Sequence, residues 1–262
     1  MESTTPGSAP ESAPGLAGNA DNAAAADPGL PAPGPRPIPY WHTFALIAVL
    51  AIFSVANARA SHGLHSSKAH VRIYLATMVY EWILTAYVWW GLARAGRSMR
   101  ELIGGRWRRV EDFLLDIAIA AGTWIGALMV LAVAAIAMGM NQTGNLDEAR
   151  QQIGFLAPQS SLEVILWIAL SATAGFCEEV LFRGYFQMQF TRLLRSRWFA
   201  LVVVSILFGL GHGYEGAQRM VLIALLGFAF GLMSLLRKSL RPAMMAHTLQ
   251  DTISGLLLRA LR

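Results

Sequence analysis

The stretch SLEVILWIALSATAGFCEEVLFRGYFQMQF, residues 161–190, is largely apolar and then carries Glu178, Glu179 and Arg183 close together. As a helix it is long enough to cross a hydrocarbon core of about 30 Å. A charged side chain at that depth costs roughly 2.5 to 3.5 kcal/mol on insertion scales, so a group of them needs a compensating reason. The stretch therefore predicts a membrane helix that carries either a functional site or an internal ion-pair network.

The composition of the whole chain agrees with a lipid environment. Of 262 residues, 55% are apolar and only 14% are charged, and the mean hydropathy is +0.46. Soluble domains usually carry about 25% charged residues. The net charge of +5 comes with arginines in short clusters at the ends of apolar runs. That placement is typical of membrane topology and not of nucleic-acid binding. The single cysteine, Cys177, excludes an intrachain disulfide and is predicted to be buried.

The apolar runs predict an all-α fold, a polytopic membrane helix bundle of about seven transmembrane helices over residues 40–262. The predicted spans are residues 41–58, 73–93, 113–138, 161–190, 198–211, 219–236 and 242–258. Basic clusters follow alternate spans, which predicts a cytoplasmic N-terminus and an outer C-terminus. Residues 1–39 are rich in Pro, Ala and Gly and lack the apolar stretch of a signal peptide. They are predicted to form a disordered tail, with a docking segment for a partner as the alternative.

Several other polar residues receive no catalytic role. The arginine-rich residues 94–109 predict a cytoplasmic connection with a short interfacial helix. His62, His65 and His70 have no carboxylate or cysteine partner nearby in the sequence. They are therefore predicted to be loop residues, in preference to the ligands of a surface metal site. For the acidic residues Glu81, Glu111 and Asp112 a packing or snorkelling role is favoured. Glu81 falls inside a predicted span.

Helical geometry separates the two adjacent glutamates. Glu179 and Arg183 stand four residues apart, so they share a helix face and can form an ion pair. Glu178 points about 100° away from Glu179, toward a different neighbour. One carboxylate is then neutralised while the other remains free for chemistry. The alternative, still open at this point, is that both glutamates only hold the bundle together through ion pairs.

Two later segments bring histidines into apolar surroundings. FGLGH, residues 208–212, places His212 at the end of a span, and HTLQD, residues 247–251, places His247 and Asp251 one turn apart. A lone histidine on an apolar helix is usually a packing residue, but two of them with the glutamate pair favour a functional site. His247 and Asp251 share a face that suits metal coordination or the binding of a substrate oxygen. Gly209, Gly211 and Gly213 flank His212. They indicate close helix packing there, a local break that admits water, or both.

Together EEVLFR, FGLGH and HTLQD resemble, in order and spacing, the successive motifs of the CPBP family, the CAAX-prenyl-protease and bacteriocin-processing type of intramembrane proteases. The resemblance covers about residues 161–251, which would form the protease core. It implies an intramembrane endopeptidase, a multi-pass protein of the bacterial cell (inner) membrane. Its partners would be peptide or protein substrates at the membrane and the lipid bilayer, with no nucleic acid.

The resemblance also implies roles for the residues of the first two motifs. Glu178 would be the base that activates water, and His212 would help to hold that water. Glu179 and Arg183 would support the base. In a bilayer, peptide hydrolysis needs such an activated water together with donors aimed at the developing negative charge.

For the third motif the resemblance leaves several roles open. His247 and Asp251 would stabilise the oxyanion of the scissile carbonyl or share in binding a metal. Family members often carry Asn where this chain has Asp251, and an ionised carboxylate cannot donate to an oxyanion. Asp251 would therefore act protonated, orient His247, or bind a metal. The one cofactor considered is Zn²⁺, with the candidate ligands Glu178, His212, His247 and Asp251.

Two other classes of protein fit the same polar residues. A proton-coupled transporter would use the glutamates and histidines as a relay through the bundle. A non-enzymatic immunity or scaffold protein would keep the fold and bind a partner, although it has no physical need for all three motifs.

Overall fold

The computed structural model describes residues 36–60, 67–140 and 157–260. All regular structure within these ranges is helical, which confirms the all-α fold. The elements are α1 (Tyr40–Ala60), α2 (Ser67–Arg94), α3 (Met99–Ile103), α4 (Val110–Ala137), α5 (Ser161–Glu178), a π segment (Glu179–Phe186), α6 (Gln187–Leu194), α7 (Arg197–Gly211), a 3-10 turn (Gly213–Glu215), α8 (Ala217–Arg237) and α9 (Arg241–Ala260). The predictions for residues 1–35 and for His62 and His65 lie outside the described ranges.

A helix covers each of the predicted membrane spans, but not all of these helices are apolar enough to cross a bilayer. Within the described residues, three are both long and apolar enough: Val110–Ala137, Ser161–Leu194 and Ala217–Arg237. Two are apolar but shorter: Tyr40–Ala56 and Arg197–Gly211. The helices α2 and α9 belong to neither group, because they carry ionisable residues such as Glu81 and Asp251. The prediction of about seven spans is therefore not confirmed.

The helix α4 shows the surface that a lipid environment requires. Its large apolar side chains face outward along most of its length, with Met129 and Val133 each 68% exposed. A contiguous apolar surface of this kind would be unusual on a soluble monomer. The sequence prediction that this helix contacts lipid is consistent with that exposure.

One acidic residue of α4, Asp116, is fully buried and joins three parts of the chain. It accepts a hydrogen bond from the indole N–H of Trp107 at 2.7 Å and pairs with Arg237 at 2.8 Å and Arg241 at 3.1 Å. The two arginines flank the turn between α8 and α9. Basic residues that the sequence marks as topology signals thus also neutralise a buried carboxylate, and they fix the start of α9.

The π segment lies at the centre of the bundle. All of its residues are buried, among them Phe182, Tyr185 and Phe186. These side chains belong to one apolar core with residues of α1, α2 and α7, including Leu46 and Phe208. The segment that carries Glu179 and Arg183 is therefore held by packing on several sides and has little freedom to adjust.

The first connection differs from its prediction at His70. Helix α2 begins at Ser67, before the predicted start at residue 73, so His70 is helical and buried instead of lying in a loop. Its Nδ1 lies 3.1 Å from Oε2 of Glu163 on α5. This pairing of His70 with Glu163 compensates the cost of burying both side chains. It also accounts for the start of α2 before the predicted position.

Two predictions at the arginine-rich connection have clear outcomes. The short helix expected within residues 94–109 is α3, which begins with a capping box formed by Ser98 and Glu101. Asp112 does not snorkel: its carboxylate accepts the backbone N–H groups of Arg108 and Arg109 at 3.3 and 3.2 Å and caps α4. An acidic group at a helix N-terminus is favourable because it satisfies unpaired N–H groups there.

Candidate active site

Both glutamates of the EEVLFR motif contact the same histidine. Glu178 is the last residue of α5, and Glu179 opens the π segment. Oε2 of Glu178 lies 3.7 Å from Nε2 of His247, while Oε1 of Glu179 lies 2.9 Å from Nδ1 of the same ring. The α-helical spacing predicts separate neighbours for the two carboxylates. The structure instead places them at opposite nitrogens of His247, at a π turn of the kind often found at functional sites.

The predicted pair of Glu179 and Arg183 is present and completely enclosed. Nη1 of Arg183 lies 3.0 Å from Oε1 of Glu179, and their side chains are 2% and 0% exposed. The guanidinium also lies 4.0 Å from the ring centroid of Phe208, a cation–π contact. Glu179 is thus neutralised by Arg183 while it holds Nδ1 of His247.

A glycine on α8 makes room for this arrangement. A Cβ on Gly227 would lie 2.9 Å from the Phe208 ring and 3.0 Å from Nη2 of Arg183. Any larger residue would therefore push the ring or the guanidinium from its place. Because Gly227 has no side chain, Arg183 can occupy the position in which it neutralises Glu179.

His247 is delivered to the glutamates by close contact between α9 and α5. A Cβ on Gly175 of α5 would clash with the Thr248 side chain and lie 2.9 Å from the Met244 carbonyl oxygen. One turn after His247, Oδ2 of Asp251 lies 3.5 Å from Nε2 of the histidine. Three carboxyl groups therefore surround one imidazole.

His212 lies next to this cluster but not in contact with its carboxylates in the described part of the chain. Its Nδ1 is 2.9 Å from the Phe208 carbonyl oxygen. Because a carbonyl only accepts, this nitrogen carries the proton and leaves Nε2 of a neutral ring as an acceptor. The Phe208 ring lies near both histidines, with its centroid 4.9 Å from that of His212 and 5.9 Å from that of His247. His212 also interacts electrostatically with Asp251.

The glycines around His212 accompany both close helix packing and a break in the helix. A Cβ on Gly209 would lie 2.5 Å from the Met220 carbonyl oxygen, so this glycine permits close packing of α7 on α8. Helix α7 ends at Gly211, and a 3-10 turn begins at Gly213. The chain therefore breaks its α-helix at the histidine.

Two residues near the site carried no role in the sequence interpretation. Tyr214, in the 3-10 turn, has its ring centroid 6.0 Å from that of His212. Burial, followed by the neighbouring Glu215 carboxylate, raises the pKa of Tyr214 well above its usual range, so the phenol remains a hydrogen-bond donor. Neither residue belongs to a motif quoted above, and no periodicity marks them.

A third residue near the site without a predicted catalytic role is Glu81 of α2. The only feature of the sequence that could have pointed to it is its position inside a predicted span. It is 7% exposed, and its Oε2 has no hydrogen-bond partner among the described residues. It interacts electrostatically with Glu178, His247 and Asp251. The packing role favoured from sequence therefore understates its position beside the cluster.

The candidate zinc ligands do not form a metal site in this arrangement. Among the described residues, no group of three or more His, Cys, Asp or Glu side chains is placed to hold a metal ion. In the described part of the chain His212 forms no hydrogen bond or ion pair with the other three candidate ligands; its Nδ1 contacts the Phe208 carbonyl oxygen. No step of the mechanism below is therefore routed through a metal.

The fold and the site define a class of protein: a helical membrane protein with a buried cluster of carboxylates and imidazoles at its centre. Residues 160–253 match the family model described as Rce1-like, type II CAAX prenyl endopeptidase. No curated protein and no solved structure matches the chain. The match to the family model supports the recognition of the CPBP and CAAX protease family from the three motifs. A match to this family implies protease activity on peptide substrates at the membrane.

Proposed function

We propose that the protein is a multi-pass intramembrane endopeptidase of the bacterial cell membrane, which hydrolyses peptide bonds with a water activated by Glu178. The observation that carries the proposal is the asymmetry of the glutamate pair around His247. Glu179 is fully buried and paired with Arg183, while the Glu178 side chain is 19% exposed and forms no ion pair with an arginine among the described residues. One carboxylate is structural and the other is available to a water molecule.

In this mechanism Glu178 removes a proton from water as the water oxygen attacks the scissile carbonyl carbon. The protonated carboxyl then delivers that proton to the nitrogen of the leaving amine as the carbon–nitrogen bond breaks. His212 supports the same water, because its Nδ1–H donates to Phe208 and its Nε2 is left to accept a hydrogen bond.

His247 stabilises the negative charge that develops on the carbonyl oxygen. Its Nδ1–H donates to Glu179, which fixes the ring, and an imidazolium form also donates from Nε2. The adjacent carboxylates favour that charged form. Asp251, 3.5 Å from Nε2, is then an orienting group and not a donor to the oxyanion.

Replacing Glu178 with Gln tests the assignment. Purified wild-type and variant proteins are reconstituted in vesicles and supplied with a quenched fluorescent peptide library. The Glu178→Gln protein should insert and melt like wild type but show no cleavage. Glu111→Gln is the control, since Glu111 is an exposed carboxyl on α4 outside the site. Full proteolysis by Glu178→Gln would refute the proposal. Neither the transporter nor the scaffold alternative gains a specific observation in its favour.

A further inference from the structure

A polar network that the proposed mechanism does not use joins α1 to the π segment. Nδ1 of His42 lies 2.6 Å from the hydroxyl oxygen of Tyr185, and Oγ1 of Thr43 lies 3.0 Å from the same oxygen. His42 is 2% exposed, Thr43 is 3% exposed and Tyr185 is fully buried. Helix α1 lies outside the residues 160–253 that match the family model. The central segment of the site is thus held by a part of the chain that carries none of the three motifs.

The network continues to the residue one turn after Tyr185. Nε2 of Gln189 donates a hydrogen bond to Oγ1 of Thr43 at 2.7 Å and lies 3.4 Å from the Ile38 carbonyl oxygen. Tyr185 belongs to the π segment, which ends at Phe186, and Gln189 belongs to α6. Thr43 therefore contacts both sides of the boundary at which the π geometry gives way to a regular α-helix.

The imidazole that contacts Tyr185 is itself fixed in place. The Tyr87 ring stacks on the His42 ring with centroids 4.0 Å apart. On α2, a Cβ at Gly91 would lie 2.6 Å from Nε2 of His42, so the imidazole fills the space that this glycine leaves. A buried polar group without room to move holds its partner in one position. The Tyr185 hydroxyl is therefore a fixed point on the π segment.

The position of the glutamates depends on this segment keeping its π geometry. Glu179 is its first residue, and the contacts of both glutamates with His247 depart from α-helical spacing there. A π turn is rare in proteins, which indicates that contacts outside the helix stabilise it where it occurs. Relaxation of the turn by one residue would rotate the helix on one side of it by about 100°. Glu178 and Glu179 would then no longer both face His247.

We propose that His42, Thr43 and Tyr185 are positioning residues of the proposed reaction. Their hydrogen bonds hold the π segment in the register that places Glu178 beside His247. The inference rests on the proposed function and adds to it a device that lies partly on α1. The three residues act on the reaction only through the glutamates.

Matched substitutions test the proposal in reconstituted vesicles, at a temperature well below the Tm of each variant. Tyr185→Phe and Thr43→Val each remove one hydroxyl from the network, whereas Thr43→Ser keeps it. The first two variants should lower kcat about tenfold or more and leave KM within about twofold of wild type, because displaced glutamates weaken the chemical step alone. Thr43→Ser should keep kcat near wild type. Tyr87→Phe is the control, since the Tyr87 hydroxyl bonds to the backbone carbonyl of His42 instead of the π segment.

Hydrogen–deuterium exchange followed by mass spectrometry reports on the segment independently of activity. Backbone amides of residues 179–189 should exchange faster in Tyr185→Phe and Thr43→Val than in wild type, while those of α4 should keep their rates. Unchanged exchange of residues 179–189 in both variants would refute the proposal.

The kinetic results can also overturn it. Wild-type kcat in Tyr185→Phe would remove the positioning role, and so would a Thr43→Ser protein as slow as Thr43→Val. An equal loss in Tyr87→Phe would show a general packing effect instead. If Tyr185→Phe does not fold, the comparison of the two Thr43 variants decides the question. Failure of the proposed function looks different, because Glu178→Gln would then retain cleavage, while the exchange rates would still report whether the network holds the segment.

Discussion

Glu179→Gln removes one charge from the buried ion pair at the centre of the site. Oε1 of Glu179 lies 3.0 Å from Arg183 and 2.9 Å from His247, and the glutamate is fully buried. The amide would leave the Arg183 guanidinium buried without a counter-charge, which destabilises by about 3 to 5 kcal/mol in comparable cases. Because the amide oxygen still accepts a hydrogen bond, we expect about 3 kcal/mol.

The adjacent glutamate provides the matched control. The Glu178 side chain is 19% exposed, and its 3.7 Å separation from His247 exceeds a hydrogen bond. Glu178→Gln is isosteric and leaves Arg183 paired, so it should change stability by about 1 kcal/mol or less. The two variants alter neighbouring residues in the same way, yet one should lose stability and the other only activity.

Thermal unfolding in detergent micelles, followed by circular dichroism, measures the difference. For a chain of this size about 3 kcal/mol corresponds to a fall in Tm of roughly 6 to 12 °C. Glu179→Leu combined with Arg183→Met should recover part of the loss, since an apolar pair avoids the unpaired charge. A Glu179→Gln protein that melts within 2 °C of wild type, or equal losses in the two variants, would refute the argument.

Two further predictions concern packing and the third motif. Gly227→Ala should destabilise by about 1 to 3 kcal/mol, because its Cβ would lie 2.9 Å from the Phe208 ring. Gly122→Ala is the control: no atom lies within 4 Å of its Cβ, so in the same melting experiment it should stabilise the helix by up to about 1 kcal/mol. Asp251→Asn should retain cleavage, since an amide can still orient His247 and adds a donor, whereas Asp251→Leu should lower kcat at least tenfold. Similar rates for the two Asp251 variants would contradict the orienting role.

Local periodicity was enough for several features. The pairing of Glu179 with Arg183 follows from a spacing of four residues and is present at 3.0 Å. Burial of Cys177 follows from its apolar neighbours and is observed. The break at His212 follows from the glycines that flank it. The ion pair and the helix break are formed within one helix or at its end, where the geometry is set by the backbone.

The polar motifs thus indicated the candidate site from sequence alone, but only the tertiary structure decided how its members meet. A helix wheel assigns Glu178 and Glu179 different neighbours, while the π turn and the approach of α9 at Gly175 bring both to His247. Glu81 joins from a helix far away in the chain. Such contacts depend on side-chain packing between helices, which is not encoded in the spacing along any one of them.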